Sequence, residues 1–141
     1  ERLEALMSRA RWLKLNDDEI HQLTGAPAGS AAEAVEAARA LQERFALEAI
    51  YVTRGASGAM IVAGDEVEQG RPPPVDTVDT VGAGDAFSAI TILGLLHGWS
   101  RRDTLDRALA FAAGICRQRG ATAFDPDLYE RYGRGWGLAN A

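Results

Sequence analysis

The sequence contains a single cysteine, Cys116, among its 141 residues, so it cannot form an internal disulfide bond. A protein without disulfides suits a reducing compartment, and we expect a cytoplasmic location. The sequence has no run of about 18 apolar residues, which excludes a membrane-spanning helix of ordinary length. The opening residues, Glu1 to Glu4, lack the basic and then apolar pattern of a secretion signal.

Basic residues are also scarce. Lysine and arginine number 15 against 20 acidic residues, which gives a formal net charge of −5. A protein that binds the backbone of a nucleic acid needs a basic surface, so we expect no nucleic-acid partner and no membrane partner. A small nucleotide is compatible with this composition, because a few local hydrogen-bond donors are enough to bind it.

What the sequence does contain is typical of a soluble globular protein, with 47% apolar and 25% charged residues. Its length suits one ordinary domain or half of a larger one. The chain has no initiator methionine and opens in charged, helix-like sequence, so we expect a piece of something longer.

Apolar periodicity predicts an α/β layer with a hairpin attached. The most secure helix follows Ser30 and Glu33, which have the spacing of a capping box, and runs to Phe45. Residues 83–97 are apolar almost all round, which predicts a buried helix. The other expected elements are strands at 11–16, 49–53, 59–63 and 66–69, helices at 18–23 and 103–118, an extended connector at 72–74, and a polar, aromatic tail after residue 120.

The segment at 79–87 carries the most informative motif, with Gly82 and Gly84 placed where an extended stretch becomes a helix. Free backbone N–H groups and the positive end of the helix dipole meet at such a point and bind phosphate. Asp85 lies inside this anion site, where its obvious role is to accept a proton from an attacking hydroxyl. The alternative is structural, because a carboxylate in the first turn also stabilises a helix.

Two further segments each follow a predicted strand. Asn16 and Glu19 lie three residues apart, and an amide beside a carboxylate suits a hydrated Mg²⁺ near phosphate; the alternative is a helix cap with solvated acids. Residues 53–58 close a strand with a glycine turn, which is either a nucleotide-phosphate loop or a plain hairpin turn. The three segments, in this order and each after an extended stretch, together indicate a nucleotide-phosphate site more strongly than any one of them does alone.

With these segments the chain resembles the C-terminal half of a ribokinase/PfkB-type carbohydrate kinase, over residues 10–125. The details look most like the fructokinase members. The matching segments are 13–19 (Leu-Lys-Leu-Asn-Asp-Asp-Glu), 52–58 (Val-Thr-Arg-Gly-Ala-Ser-Gly), 79–85 (Asp-Thr-Val-Gly-Ala-Gly-Asp) and 119–121 (Arg-Gly-Ala).

The resemblance implies a role for each matching residue. Asp85 would be the general base. Asn16 and Glu19 would position Mg²⁺ and phosphate. The remaining implied roles are the anion hole for Gly82, Ala83 and Gly84; nucleotide contacts for Asn16, Thr53, Arg54, Gly55, Gly58 and Gly84; and a K⁺ site for Asp79, the carbonyl of Val81 and the loop near Gly120.

For the whole molecule, the resemblance implies the C-terminal part of a three-layer α/β/α ribokinase-like fold. Residues 1–141 would be the nucleotide-binding half, with ATP, Mg²⁺ and K⁺ as cofactors and a small sugar as acceptor. The family's N-terminal half, which carries most sugar-binding residues, is absent, so we expect the isolated chain to be inactive and to need that half or a second copy. The stretch 108–112 is wholly apolar where many relatives carry a polar residue near adenine.

Fructose is the expected acceptor. The alternatives are ribose, a ketodeoxy sugar acid or a nucleoside. A rival of another class is a catalytically inactive nucleotide-binding fragment, against which the retained Asp85 argues.

Overall fold

The computed structural model describes residues 2–117 and 126–138 as six helices and four strands. In chain order they are α1 (Arg2–Met7), β1 (Trp12–Asn16), α2 (Asp17–Thr24), α3 (Ala31–Phe45), β2 (Ala49–Thr53), β3 (Ala59–Ala63), β4 (Glu66–Gly70), α4 (Ala83–His97), α5 (Arg101–Cys116) and α6 (Pro126–Gly135). A short 3₁₀ turn, Gly55–Ser57, joins β2 to β3. None of the helices in these two ranges is long and apolar enough to cross a membrane.

The four strands form one sheet in the order β1-β2-β3-β4. β1 and β2 are parallel and are connected through α2 and α3, whereas β2, β3 and β4 form an antiparallel meander. The register pairs Asn16 with Thr53, so the two parallel strands end side by side. This is the α/β layer with an attached hairpin that the sequence predicts.

Helices cover both faces of the sheet, which gives three layers. In β2, Ile50 and Val52 pack with the core of α2 and α3, while Ala49 and Tyr51 pack with the core of α4 and α5. Successive side chains of a strand point to opposite faces, so a strand buried on both sides is apolar at every position. The predicted α/β/α architecture is confirmed.

Side-chain caps set the beginnings of three helices. Asn16 and Ser30 each form a reciprocal capping box, with Glu19 and Glu33 respectively. Ser100 caps α5, which therefore begins at Arg101, two residues before the predicted start at Asp103. Glu66 and Glu68 of β4 pair with Arg101 and Arg102, so these arginines tie the start of α5 to the sheet.

The outer side of α4 differs from the prediction of a helix buried all round. Ala86, Phe87 and Ile90 pack against the sheet and α5. Ile92 and Leu96, in contrast, are 56% and 76% exposed. The prediction of burial is therefore confirmed for the inner face of α4. The outer face is also apolar, but none of the described residues covers it.

The aromatic tail forms a helix, α6, that the sequence analysis did not predict. Tyr132 donates a hydrogen bond to the carbonyl oxygen of Ala110 at 3.1 Å and packs edge-on against Phe111 of α5. Trp136 packs edge-on against Trp99, which precedes α5. The aromatic residues therefore dock the tail onto α5.

Candidate active site

The candidate site lies at the edge of the sheet where β1 and β2 end. The hydroxyl of Thr53 donates to the carbonyl oxygen of Leu15 at 3.5 Å, which links the two strand ends. Ligand sites of α/β proteins commonly lie outside the carboxyl ends of parallel strands. Asn16 and Thr53, which the sequence predicts as nucleotide contacts, are thereby brought to the same edge.

A cavity of about 560 Å³ opens at this edge. Its lining includes six predicted site residues, which are Asn16, Thr53, Gly55, Gly58, Ala83 and Gly84. Prolines 72–74 and the apolar side of α5, Leu109, Ala112 and Ala113, form another part of the wall. The cavity therefore joins a polar region at the strand ends to an apolar region at α5.

The amino end of α4 supplies free hydrogen-bond donors to this cavity. Gly82 has a φ of 85°, a left-handed conformation that favours glycine, and it lacks a side-chain cap. The N–H of Ala83 donates to the carbonyl oxygen of Thr80 at 3.2 Å, and that of Ala86 to Gly82. Gly84 and Asp85 form no such backbone bond with the described residues, so their N–H groups are the donors open to an anion.

Lys14 is a site residue that the sequence analysis missed. It lies in β1, lines the cavity, and a methyl group placed on Gly84 would lie 3.4 Å from its Nζ. No ion pair of Lys14 forms within the described residues. The composition could have drawn attention to Lys14, because it is the only lysine in a sequence with 14 arginines.

The carboxylate of Asp85 lies at the third position of α4 and is exposed. Its side chain forms no hydrogen bond or ion pair with the described residues, unlike the carboxylates that cap α2 and α3. Asp85 is thus not a side-chain cap, although its place in the first turn is also favourable to the helix dipole. The geometry therefore leaves Asp85 free to contact a ligand.

Asn16 and Glu19 are engaged with each other. The N–H of Glu19 donates to Asn16 Oδ1 and the N–H of Asn16 donates to Glu19 Oε2, both at 2.7 Å. This is the capping arrangement that the sequence left open as the alternative to a metal site. Among the described residues, no group of three or more histidine, cysteine or acidic side chains could hold a metal ion. The second carboxylate oxygen of Glu19 is the group still open to an ion.

Six other predicted residues that the structure describes are not part of this cavity lining, namely Glu19, Arg54, Asp79, Val81, Gly82 and Asp85. Arg54 lines a second cavity, and its Nη2 donates to the carbonyl oxygen of Gly29 at 2.8 Å. Asp79 accepts a hydrogen bond from the N–H of Val81 at 2.9 Å. Gly120 and the rest of the predicted Arg-Gly-Ala segment lie outside the described residues.

Cys116 lies half-buried in the cavity wall. Its carbonyl oxygen accepts from the N–H groups of Val78 and Asp79, at 2.8 and 3.1 Å, which fixes the connector against α5. Burial raises the pKa of the Cys116 thiol, and the negative charge of Asp79 adds to the shift. The thiol is therefore in its neutral form at pH 7 and belongs to the apolar region of the cavity.

Residues 1–128 match the family model described as pfkB family carbohydrate kinase. The chain belongs to this family. It is 36% identical to a 1-phosphofructokinase of Haloferax volcanii over 115 residues, which are 82% of this chain and 37% of that protein. The chain thus spans little more than a third of the length of the curated relatives it matches.

Two solved structures show the same fold. A ribokinase of Arabidopsis thaliana, complexed with ribose and ATP, superposes with a TM-score of 0.78 at 27% identity, over 84% of this chain and 38% of that one. A putative ribokinase II of Escherichia coli, in complex with ATP and Mg²⁺, has a TM-score of 0.74 at 25% identity, over 84% and 37% of the two chains. The predicted family and the ribokinase-like fold are confirmed.

Proposed function

We propose that this chain carries the nucleotide-binding and proton-accepting part of an ATP-dependent sugar kinase. The observation that carries the proposal is the ammonium of Lys14 directed at Gly84, at the uncapped amino end of α4. A cation and the positive end of a helix dipole repel each other, so their approach favours an anion between or beside them. Phosphate is the anion that such a helix end most often binds.

The shape of the cavity supports a nucleotide as the source of that phosphate. Its polar end, at Lys14, Asn16 and Thr53, suits the phosphates of ATP, and its apolar end, at Leu109 and Ala112, suits an aromatic base. No polar side chain of α5 reaches this end within the described residues apart from Cys116, so the base would be held by apolar contact. ATP is also the nucleotide in the two related structures.

Asp85 would accept the proton of the attacking sugar hydroxyl. Its own N–H is one of the two open donors, and its side chain has no competing partner among the described residues. Phosphoryl transfer depends on positioning and charge stabilisation, so a free carboxylate beside an anion hole needs to do little more than orient and deprotonate the acceptor.

Asn16 and Glu19 fit Mg²⁺ only if water molecules lie between these side chains and the ion. Glu19 is exposed and one of its oxygens is free, whereas Asn16 Oδ1 is held by the cap. Mg²⁺ keeps several waters and takes phosphate oxygens as ligands, and when bound it would neutralise phosphate charge. Asp79 and the carbonyl of Val81 remain the proposed K⁺ ligands. A cytoplasmic location is proposed with these cofactors, on the evidence of the single cysteine.

A small sugar is the proposed acceptor, with fructose as the first choice on sequence resemblance. The relative from Haloferax volcanii is named for action on a phosphorylated fructose, which makes a fructose phosphate the second candidate. Ribose, which is bound in the Arabidopsis ribokinase, is the third.

The test is phosphoryl transfer by the complete protein that contains this sequence. ADP formation should depend on an added sugar, and comparison of fructose, fructose 1-phosphate and ribose at equal concentrations would rank the acceptors. Binding of ATP without transfer to any of a broad panel of sugars would favour the inactive nucleotide-binding alternative. Failure to bind ATP would contradict the proposal.

A further inference from the structure

A second cavity, of about 550 Å³, lies beside the turn between β2 and β3. Of its lining residues only Ala59 is shared with the first cavity. Ala31, at the start of α3, and Met60, which packs with the α3 core, place it towards the other face of the sheet. The site described above therefore does not account for it.

Two arginines line this second cavity from different strands. Arg54 follows β2 and Arg71 follows β4, and the polar side chains of Ser57 and Gln69 lie in the same wall. The hydrogen bond from Arg54 Nη2 to Gly29 fixes one edge of the guanidinium. Its Nε is buried and has no hydrogen-bond partner among the described residues. The Nε of Arg39, which does not line the cavity, is buried and without a partner among the described residues in the same way, so it is the position of Arg54 in the wall, and not this atom, that points to a ligand.

The positive charges of Arg54 and Arg71 are not balanced by acidic residues among the described residues of the cavity wall. No acidic residue of the described chain lines it, although the protein has a net charge of −5. Arg71 forms no ion pair within residues 2–117 and 126–138. Several exposed arginines of this part of the chain pair with acids, as in Arg11–Glu48 and Arg44–Glu4, whereas Arg9 and Arg131, like Arg71, form no ion pair with the described residues.

We propose that Arg54 and Arg71, with the hydroxyl of Ser57, bind the phosphate group of a small molecule at this second cavity. Guanidinium groups present a planar fork of donors that matches phosphate oxygens, and two of them match the charge of a phosphate dianion. This site is independent of the nucleotide cavity and does not rest on kinase activity.

The test follows backbone amide shifts of the purified protein by two-dimensional NMR during titration with inorganic phosphate. The amides of Ser57, Gly70 and Arg71 should shift saturably. Arg71→Gln should weaken that binding about tenfold, because a hydrogen bond to a charged group is lost. Arg9→Gln, an exposed arginine of the turn after α1, is the matched control and should leave it unchanged.

Shifts at Ala83 and Gly84 report the first cavity and should be the same in both variants. Phosphate shifts confined to Ala83 and Gly84, or shifts at Ser57 that Arg71→Gln leaves unchanged, would overturn the proposal. Arg54→Gln should act like Arg71→Gln; since it also removes the bond to Gly29, its amide spectrum must first show an intact fold. Acetate should bind more weakly than phosphate, and equal binding would contradict the assignment to a dianion.

Discussion

At the scale of single residues, the candidate site depends on groups that have no protein partner. The side chains of Lys14 and Asp85 are both free of hydrogen bonds and ion pairs with the described residues. Lys14 lies close to Gly84 in space, and Asp85 follows Gly84 in the sequence. The carboxylate of Glu19, in contrast, is engaged in the capping box with Asn16. Uncommitted charges of opposite sign at one helix end suggest separate tasks, one for anion binding and one for proton transfer.

Asp85→Asn should lower turnover of the complete enzyme by roughly 10²–10⁴-fold, because the amide cannot accept the hydroxyl proton. The affinity for ATP should hardly change, since a negative charge does not help to bind a polyphosphate. Steady-state kinetics and an ATP titration measure the two effects separately. Turnover close to that of the unmodified protein would exclude Asp85 as the base.

Lys14 can be tested by chemical labelling, because it is the only lysine in this sequence. An amine-selective reagent followed by peptide mapping gives the rate of modification at Lys14. With ATP at about ten times its Kd, that rate should fall roughly tenfold, because only about one molecule in ten is free. The modification rate of an amine outside the cavity, such as the α-amino group, is the internal control. If ATP protects neither or both amines, Lys14 does not contact the nucleotide.

At the scale of elements, the hairpin of β2 and β3 depends on a close approach that only glycine allows. Gly58 has a φ of 97°, and a methyl group there would lie 2.0 Å from the carbonyl oxygen of Gly70 in β4. The N–H of Arg54 donates to the carbonyl oxygen of Gly58 at 2.8 Å and closes the turn. The turn therefore packs against β4 and also forms part of the wall of the first cavity.

Gly58→Ala should reduce the free energy of unfolding by about 3 kcal/mol or more, because backbone strain and a steric clash add together. Gly64→Ala is the matched control. Gly64 has a φ of 61° but open space around it, so its substitution should cost only about 1–2 kcal/mol. Urea denaturation of both variants measures the difference. Equal effects would mean that the contact with Gly70 is unimportant for stability.

The capping box of α3 gives a prediction about pH. The N–H of Ser30 donates to the carboxylate of Glu33 at 2.9 Å, and this bond, with that from the Ser30 hydroxyl, holds the pKa of Glu33 below its usual value. A lowered pKa in the folded state stabilises the fold above the pKa of the unfolded chain, and the effect disappears as the pH falls through the folded pKa.

The protein should accordingly be more stable than its Glu33→Gln variant at pH 7, and the difference should shrink as the pH falls below about 4. Glu43→Gln, an exposed acid on the same helix, is the control and should show little dependence of this kind. Urea denaturation over a pH series measures both. A difference for Glu33→Gln that is constant with pH would contradict the assigned cause.

At the scale of the whole molecule, the sequence predicted the strands, the long helices and the layer order well. It could do so because β2 and β3 are apolar on both faces and Ser30 marks the start of α3 locally. Lys14 was missed because its role depends on α4, which lies about 70 residues away in the sequence. The placement of Arg54 could not be predicted either, since the direction of a turn side chain depends on packing against α3 and β4.

The helix α6 was missed for a different reason. Leu128, Tyr132 and Trp136 recur at four-residue steps, which is a helical pattern, but glycines 133 and 135 interrupt it and favour a loop. Packing against Phe111 and Trp99 overrides this local preference. Tertiary contact, not propensity, therefore determines the structure of the tail.

The exposed side of α4 leads to the last prediction, that the 141-residue chain by itself associates in solution and phosphorylates no sugar. Ile92 and Leu96 expose large apolar side chains on one helix face. Burial of such a side chain contributes about 1.5–3 kcal/mol, so a contact between two copies that covers them should be measurable. Analytical ultracentrifugation and a kinase assay on the same sample test the two parts.

Replacement of Ile92 and Leu96 together by glutamine should weaken the association at least about tenfold, from the loss of that burial. Replacement of Leu3 and Leu6, which are 54% and 68% exposed on α1, is the matched control and should have a smaller effect. Equal effects of the two double substitutions would indicate unspecific aggregation through any apolar surface. A monomer of 15.1 kDa that phosphorylates a sugar would contradict both the exposed-face argument and the view that catalysis needs residues beyond this chain.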